Sequence, residues 1–348
     1  MLFINYCKKV LTGFLFFISL FIISISCDST EPTDELKPGR RDYTWTTDTV
    51  KIPFKKLTRI WGSSPTDVWA IGSGGGLDQA IWHYDGISWK TDNISRGIGP
   101  DCVFGFSASD VWIAGGEGKI WHFDGIEWTF NHEFKKNGYV ISFSDLWGEA
   151  YDNIYAVGYA DSSEIRKAII LHFNGNQWIE KKIPNINTGL VRIRKDQSIG
   201  KYYLDGLGGS STIIVSLFKY DGNSSLTKIY ESNYSIATNS ITQKLLNEVY
   251  FVIGYKINKY DGKHFNEIIN INEPQFGSQI WGRTLKDIFL RMFDGLAHYN
   301  GENVQYLFNY NTNSGISIID AVLFDNEIFF LAIDWNKDQN IIYRGKLN

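Results

Sequence analysis

The sequence predicts an all-β protein, a seven-bladed β-propeller of four-stranded antiparallel blades. Two repeated patterns and the two chain ends indicate this fold. In the first pattern an extended run ends in an aromatic residue, Asp-Gly or Asn-Gly follows, and most copies add another aromatic three residues later, as at Tyr84, Gly86 and Trp89. An Asp-Gly or Asn-Gly pair between extended runs favours a two-residue type I′ hairpin, in which both central residues have positive φ. The pattern occurs six times, with its glycine at Gly86, Gly125, Gly175, Gly222, Gly262 and Gly301.

The second pattern is a strand that begins Asp-Val-Trp at residues 67–69 and again at residues 110–112. With Trp69 as the first mark, the equivalent positions follow at intervals of 39 to 48 residues and are Trp112, Tyr155, Tyr202, Tyr250, Phe289 and Phe329. A period of roughly 40–50 residues with four short strands per unit is typical of a propeller blade. Seven marks therefore predict seven blades.

The chain ends predict how the ring closes. The last repeat contains runs at residues 327–331 and 341–345, and the chain ends before a fourth strand. Residues 43–50 alternate like a strand and are similar to the outer strand that contains Trp178. We therefore expect this N-terminal strand to complete the C-terminal blade, which would remove two exposed sheet edges and bring the termini together.

Residues 1–26 resemble a bacterial lipoprotein signal peptide and are set apart from the fold. Lys8 and Lys9 precede an uncharged run over residues 10–26, and Cys27 follows it directly. The resemblance implies that Cys27 is acylated, for example with palmitate, as the first residue of the mature chain. The alternative is an ordinary membrane anchor, because the run is near the shortest that spans a bilayer. Residues 27–41 then form a flexible acidic tether, and residues 42–348 form the propeller.

The composition fits an extracytoplasmic β-protein. A formal net charge of −4 provides no basic surface for nucleic acid. Cys7 is removed with the signal peptide and Cys27 is acylated, so Cys102 has no partner and no disulfide framework is predicted. The chain has 12 Trp, 19 Tyr and 23 Phe, mostly at repeat positions, which indicates packing between blades rather than an aromatic binding surface.

The repeat resembles that of known propeller families. A strand ending in Gly115, an aromatic before a turn at Phe123, and then Trp128 look like the kelch motif of galactose-oxidase-type propellers. Residues 67–72 and 83–86 are more similar still to the Asp-Val-Trp-Ala-Val-Gly and His-Tyr-Asp-Gly repeats of bacterial lipoprotein propellers. This resemblance implies a Gram-negative cell-envelope protein, lipid-anchored to the outer membrane and facing the periplasm or the cell surface. It leaves the function open, because such propellers serve as binding scaffolds and as enzymes.

The search for catalytic and metal-binding groups predicts no cofactor and no metal centre. Asp334, Asn336 and Asp338 have the spacing of a calcium loop, but the glycine and the distal glutamate of an EF-hand are absent, which favours a polar hairpin loop. Four histidines lie three residues before a hairpin glycine, each on a different blade, and are therefore structural members of the repeat: His83, His122, His172 and His298.

Loop lengths predict a recognition surface. In a four-stranded meander, the connections between the second and third strands and those between blades lie on one face, called here the long-loop face. Residues 72–79, 159–167 and 334–340 provide long loops on this face. Trp335 lies outside the repeat register, so we expect it to form a ligand-binding platform with polar neighbours. The predicted neighbours are Asp334, Lys337, Asp338, Asp78, Asp161, Glu164, Arg166 and Lys167.

The sequence thus predicts a monomeric envelope scaffold that binds a protein or glycan partner, with no catalytic residue assigned. One alternative is a glycosidase or lyase, for which two carboxylates should meet at the central mouth roughly 5–10 Å apart. Glu117, Glu149 and Asp161 are carboxylates available for that role, although their spacing selects no pair. The other alternative is a structural subunit of an envelope complex with a broad apolar rim, in which Trp335 is an ordinary loop residue.

Overall fold

The computed structural model describes residues 37–50, 52, 56–73, 77–162, 165–209, 213–233, 240–241, 248–311 and 313–348. Residues from Pro38 to Asn348 form one compact unit. The described part contains 28 β-strands and one short 3-10 helix, Leu77–Gln79. The strands form seven four-stranded antiparallel sheets, which confirms the predicted seven-bladed propeller.

The strands follow the chain from the inner to the outer edge of each blade, with β1 (Tyr43–Val50) ahead of the first. Blades 1 to 3 contain β2 (Arg59–Ser64), β3 (Asp67–Ile71), β4 (Ile81–Tyr84), β5 (Trp89–Lys90), β6 (Pro100–Ser107), β7 (Asp110–Gly115), β8 (Lys119–Phe123), β9 (Trp128–Glu133), β10 (Val140–Ala150), β11 (Asn153–Asp161), β12 (Arg166–Phe173) and β13 (Trp178–Glu180). Blades 4 and 5 contain β14 (Thr188–Asp196), β15 (Lys201–Gly208), β16 (Ile214–Tyr220), β17 (Leu226–Asn233), β18 (Ser240–Ile241), β19 (Phe251–Ile253), β20 (Lys256–Tyr260) and β21 (Phe265–Asn270). Blades 6 and 7 contain β22 (Phe276–Thr284), β23 (Asp287–Met292), β24 (Gly295–Tyr299), β25 (Val304–Asn309), β26 (Ile316–Leu323), β27 (Glu327–Asp334) and β28 (Gln339–Leu347).

Blade 7 is closed by the N-terminal strand, as predicted. Its strand order is β26, β27, β28 and β1, with β1 antiparallel to β28. The register runs from Tyr43 opposite Leu347 to Val50 opposite Asn340. Backbone pairing between the two ends of the chain thus completes the ring and covers the edge of β28.

The six hairpins do not have the predicted type I′ geometry. In each copy the glycine has a positive φ, from +85° at Gly222 to +104° at Gly262, but the preceding Asp or Asn does not. The carboxylate of Asp85 instead accepts the N–H groups of Ile87, at 3.0 Å, and Ser88, at 2.9 Å. This Asx turn satisfies the loop backbone with a side chain, so a longer loop replaces the two-residue turn.

The aromatic residues of the repeat pack between neighbouring blades. The buried Trp69 of blade 1 lies 5.0 Å from the ring of Phe123 and 5.3 Å from that of Trp128, both in blade 2. The equivalent Trp112 of blade 2 makes the same kind of contact with Trp178 of blade 3, at 5.9 Å. The core is therefore a ring of interfaces between sheets, and the repeated aromatics stabilise those interfaces.

The four repeat histidines bind side chains of their own blades. In each case Nε2 lies 2.7 to 2.8 Å from the Asp or Asn that begins the second strand, and the pairs are His83–Asp67, His122–Asp110, His172–Asn153 and His298–Asp287. The imidazole also packs on the aromatic mark of the repeat, as His83 does on Trp69 at 4.0 Å. These contacts confirm that the histidines are structural members of the blades.

Candidate functional site

Trp335 lies in the loop between β27 and β28 on the long-loop face, and 56% of its surface is exposed. The backbone N–H of Trp335 donates to the carbonyl of Gly315 at 2.9 Å, which fixes this loop against the segment before β26. The ammonium group of Lys56 lies 5.8 Å from the centre of the indole ring and forms an ion pair with Asp338. The loop therefore presents an aromatic ring beside a positive and a negative group.

Asp334 shapes this loop from inside. Its side chain is buried, and its carboxylate accepts the backbone N–H groups of Asn336 and Lys337, both at 3.0 Å. The amide of Asn336 in turn donates to the carbonyl of Asn313 at 2.9 Å. These contacts have the form of a polar Asx-stabilised hairpin loop, the interpretation favoured over a calcium loop. Asp334, one of the predicted site residues, is thus buried and stabilises the loop by accepting hydrogen bonds from its backbone.

A second cluster of predicted residues lies on blade 3. Arg166 pairs with Asp161 across the loop between β11 and β12, with Nη2 and Oδ2 2.7 Å apart. Its guanidinium lies 4.1 Å from the ring of Tyr159. The ammonium of Lys167 lies 5.4 Å from the ring of Tyr139. A cation stacked on an aromatic ring presents a positive charge next to an apolar surface. This combination suits recognition of a polar partner.

The remaining predicted residues lie apart from these clusters. Asp78 is exposed in the 3-10 helix of blade 1. Glu164 lies outside the described residues. Within the described ranges, no ion pair or ring contact joins the Trp335 loop to the blade 3 cluster. The predicted site is thus two separate clusters on different blades.

The three carboxylates considered for glycan cleavage each form an ion pair locally. Glu117 lies 2.7 Å from Lys119 in blade 2, and Glu149 lies 2.6 Å from Lys195. Asp161 pairs with Arg166, as described above. Within the described part of the chain, no group of three or more His, Cys, Asp and Glu side chains is placed to hold a metal ion. These residues are not brought together as an acid and base pair.

The ring encloses a central cavity of about 390 Å³. It is lined by the innermost strands of six blades, including β2, β10, β14, β22 and β26. Aromatic residues of the repeated Trp-Gly or Phe-Gly pairs form part of its wall: Trp61, Phe104, Trp147 and Trp281. A concave space of this size with aromatic walls is typical of sites for small ligands.

Polar residues also line this cavity, and the sequence analysis did not predict them. Arg59, Asp145 and Gln279 each lie two residues before the tryptophan of a Trp-Gly pair. Asp320 of β26 and Arg192 of β14 line the same cavity. The sequence contained a signal for these residues, because a charged or amide residue recurs at one position of the inner strands. Alternate residues of a strand share one face, so this position faces the same side of the strand in each blade.

The two cavity aspartates link neighbouring blades. Asp145 of blade 3 accepts the backbone N–H of Ile193 in blade 4 at 2.9 Å. Asp320 of blade 7 accepts the backbone N–H of Ile60 in blade 1 at 3.1 Å. Burial raises the pKa of Asp320, although the positive charge of Arg59 and hydrogen bonds act in the opposite direction. These carboxylates therefore help to hold the ring together while facing its central space.

A second cavity, of about 550 Å³, lies on the outer side of the ring between blades 1 and 2. Here β5 has only two residues whereas β9 has six. Trp69, Trp121 and Trp128 line this outer groove. The guanidinium of Arg96 lies 6.0 Å from the Trp121 ring and pairs with Asp92. The outer groove is thus aromatic, and its cations Arg96 and Lys90 each have a carboxylate partner.

Comparison with known proteins supports the fold. No model of a protein family matches the chain, and no curated protein matches its sequence. Solved structures do match: YCF48 bound to a D1 peptide, at 13% identity and a TM-score of 0.59, covers 90% of this chain and 100% of its own. YCF48 from Cyanidioschyzon merolae, at 13% identity and a TM-score of 0.55, covers 85% and 98%. The extracellular domain of a proposed one-component system of B. thetaiotaomicron, also at 13% and 0.55, covers 85% of this chain and 39% of that one. At this identity the likeness shows that the chain is a β-propeller.

Proposed function

We propose that the chain is a lipid-anchored protein of the bacterial cell envelope and that its propeller binds a protein partner through the long-loop face. The single observation that carries the binding role is the Trp335 loop, where an indole outside the repeat is 56% exposed beside Lys56 and Asp338. Tryptophan is enriched among residues that dominate binding energy at protein interfaces. The backbone hydrogen bond from Trp335 to Gly315 fixes the loop that carries the indole, and a loop that is already ordered loses little freedom on binding, which favours affinity.

A protein partner agrees with the structures that share this fold. One of them is YCF48 bound to a D1 peptide, and another is the extracellular domain of a proposed one-component system. The charged groups beside Trp335, Lys56 and Asp338, would form hydrogen bonds around an apolar anchor, as the polar rim of an interface does.

The envelope location rests on Cys27 and the apolar run before it. In the described residues, no helix is long and apolar enough to cross a membrane. Acylation of Cys27 would hold the propeller at the membrane surface and leave its faces accessible to a partner. Mass spectrometry of the membrane-extracted chain tests this part: a diacylated or triacylated N-terminal peptide that is lost in Cys27→Ser supports it, and an unmodified Cys27 peptide contradicts it.

The binding role is tested with the immobilised full chain, envelope proteins extracted in detergent, and a glycan array. Trp335→Ala should reduce retention of a protein partner at least tenfold. The matched control is Tyr151→Ala, because Tyr151 is 71% exposed in the short turn between β10 and β11, on the opposite face. Equal retention by both variants would contradict a binding site at Trp335. Retention of glycans alone would indicate that the partner is a carbohydrate and not a protein.

A further inference from the structure

Four guanidinium groups of the described residues line the central cavity. That of Arg283 in blade 6 is bound by Asp287 and by the carbonyls of Phe324 and Asp325, and the other three come from two sides of the ring. Arg59 enters from blade 1, and Arg192 and Arg194 enter from blade 4. Burial lowers the pKa of Arg192, and the positive charges of Arg194 and Arg59 lower it further, while Asp205 and Asp145 act in the opposite direction. Because all three residues line the same cavity, these cations converge on one space.

The carboxylates around the cavity compensate these cations unequally. Arg194 lies 2.5 Å from Asp145. Arg192 forms an ion pair with Asp205, with Nη1 and Oδ2 3.7 Å apart. For Arg59, the described residues place no carboxylate oxygen within 4.0 Å; its Nη1 donates to the carbonyl of Thr58 at 2.9 Å. Arg59 therefore has the least compensated charge of the three.

Asp320 is the carboxyl group whose pKa responds to Arg59, but it is occupied by other donors. It accepts the backbone N–H of Ile60 at 3.1 Å and that of Ala321 at 2.9 Å, and the indole N–H of Trp281 lies 3.3 Å away. Asp320 therefore gives Arg59 a charge nearby without a direct hydrogen bond. A guanidinium in a confined space gains most from a carboxylate that meets it directly.

The shape and lining of the cavity define the ligand further. Its volume of about 390 Å³ suits a small molecule or the end of one peptide segment. Trp61 supplies a partly exposed aromatic wall, whereas Trp147 and Trp281 add only small surfaces because they are 7% and 1% exposed. The arrangement matches a ligand with an anionic group at one end and an apolar body at the other.

We propose that the central cavity binds a carboxylate attached to an apolar or aromatic body, with Arg59, Arg192 and Arg194 holding the carboxylate and Trp61 contacting the body. The carboxylate belongs either to a small organic acid or to the C-terminus of a peptide. This site is independent of the Trp335 loop, because it lies on the inner strands rather than on the long-loop connections.

The test measures thermal unfolding of the full chain in detergent with increasing benzoate, and with benzamide as the neutral isostere at matched ionic strength. A short peptide ending in phenylalanine is compared with its C-terminal amide to separate the two sources. Benzoate or the free-acid peptide should raise Tm in a saturable way, and the amides should not, because a ligand that binds only the folded state stabilises it. Arg59→Gln should weaken this response at least tenfold.

Two variants provide the controls. Arg96→Gln removes a guanidinium from the outer groove and should leave the benzoate response unchanged. Trp335→Ala should also leave it unchanged, so failure of the long-loop site and failure of the cavity site are distinguishable. If Arg59→Gln does not fold, Arg192→Gln takes its place in the benzoate titration and should show the same weakening. A response shared by the amides, a response that survives loss of the arginine, or no saturable response to either acid contradicts the proposal.

Discussion

His298 Nε2 lies 2.7 Å from Asp287 Oδ1 inside blade 6, where the imidazole is completely buried. Burial lowers the pKa of His298 below its ordinary 6.5, although Asp287 acts in the opposite direction. Burial would raise the pKa of Asp287, but hydrogen bonds from His298 and Arg283 outweigh it and leave that pKa below 3.8. Both groups therefore bind protons more weakly in the folded state than in the unfolded chain.

The sign of the pH dependence follows from these shifts. A group whose pKa is lower in the folded state than in the unfolded chain stabilises the fold at pH values above its unfolded-state pKa. This stabilisation is lost as the pH falls through the folded-state pKa of the group. The His298 contribution should therefore decline below about pH 6.5, and that of Asp287 below about pH 3.8. Thermal unfolding between pH 8 and pH 5 should show a falling Tm, and His298→Gln should make the fall smaller. A variant with the wild-type slope would contradict this assignment.

Trp45 should contribute to ring closure. Its ring lies 4.6 Å from Phe308 of blade 6 and 6.4 Å from Phe330 of blade 7, so β1 contacts the neighbouring blade as well as its own. Trp45→Ala should lower the free energy of unfolding by about 2–4 kcal/mol, because a half-buried indole loses these contacts. Thr47→Ala changes an exposed residue of the same strand and should cost under about 0.5 kcal/mol. Chemical denaturation of both variants measures the difference, and equal values would contradict it.

Alanine substitutions at Gly262 and Gly125 distinguish the cost of backbone strain from the cost of steric crowding around the new Cβ. Their φ angles are similar, +104° and +96°, but a Cβ at Gly262 would meet nothing within 4 Å, whereas one at Gly125 would lie 2.7 Å from Cβ of Ser109. Gly262→Ala should therefore cost only the conformational penalty, about 1–2 kcal/mol. Gly125→Ala should cost more, because Ser109 or the turn must move. Denaturation midpoints of the two variants test this order, which a larger loss in Gly262→Ala would contradict.

Asp145 should stabilise the contact between blades 3 and 4 through its charge. It lies 2.5 Å from Arg194 and also accepts the backbone N–H of Ile193. Asp145→Asn keeps an acceptor for that N–H but removes the charge, leaving the partly buried Arg194 without its partner. We expect a loss of about 2–4 kcal/mol by chemical denaturation, since the remaining cation is uncompensated. Lys119→Gln, which removes an ion-paired cation of blade 2, should have a much smaller effect, and comparable losses would contradict this role of Asp145.

The blade repeat was predictable from the sequence because packing between neighbouring blades requires the same residue types at equivalent positions of each blade. Trp69 and Trp112 mark equivalent strands for this reason, and residues 43–50 were recognisable as a strand without a blade of their own. The turn geometry was not predictable from Asp-Gly alone. The carboxylate of Asp85 competes for the loop N–H groups, so a longer Asx turn forms.

The candidate sites were less predictable, because they depend on how loops and inner strands meet in space. Exposure of Trp335 could be expected from its place outside the repeat, but its contact with Lys56 joins residues far apart in sequence. Arg59 and Arg194 come from opposing parts of the ring, and only the closed propeller places them in one cavity. Arg59 lies two residues before Trp61, a repeat position that was visible in the sequence, whereas Arg194 lies outside this pattern.

The most direct test of the account is photocrosslinking at the long-loop face in bacterial cells that produce the full chain. A photoreactive phenylalanine analogue replaces Trp335 in one strain and the opposite-face Tyr151 in another, since both side chains are exposed. We predict a discrete adduct with one envelope protein at position 335 and none at position 151. No adduct at position 335, or the same adducts at both positions, would contradict a protein-binding site at the Trp335 loop.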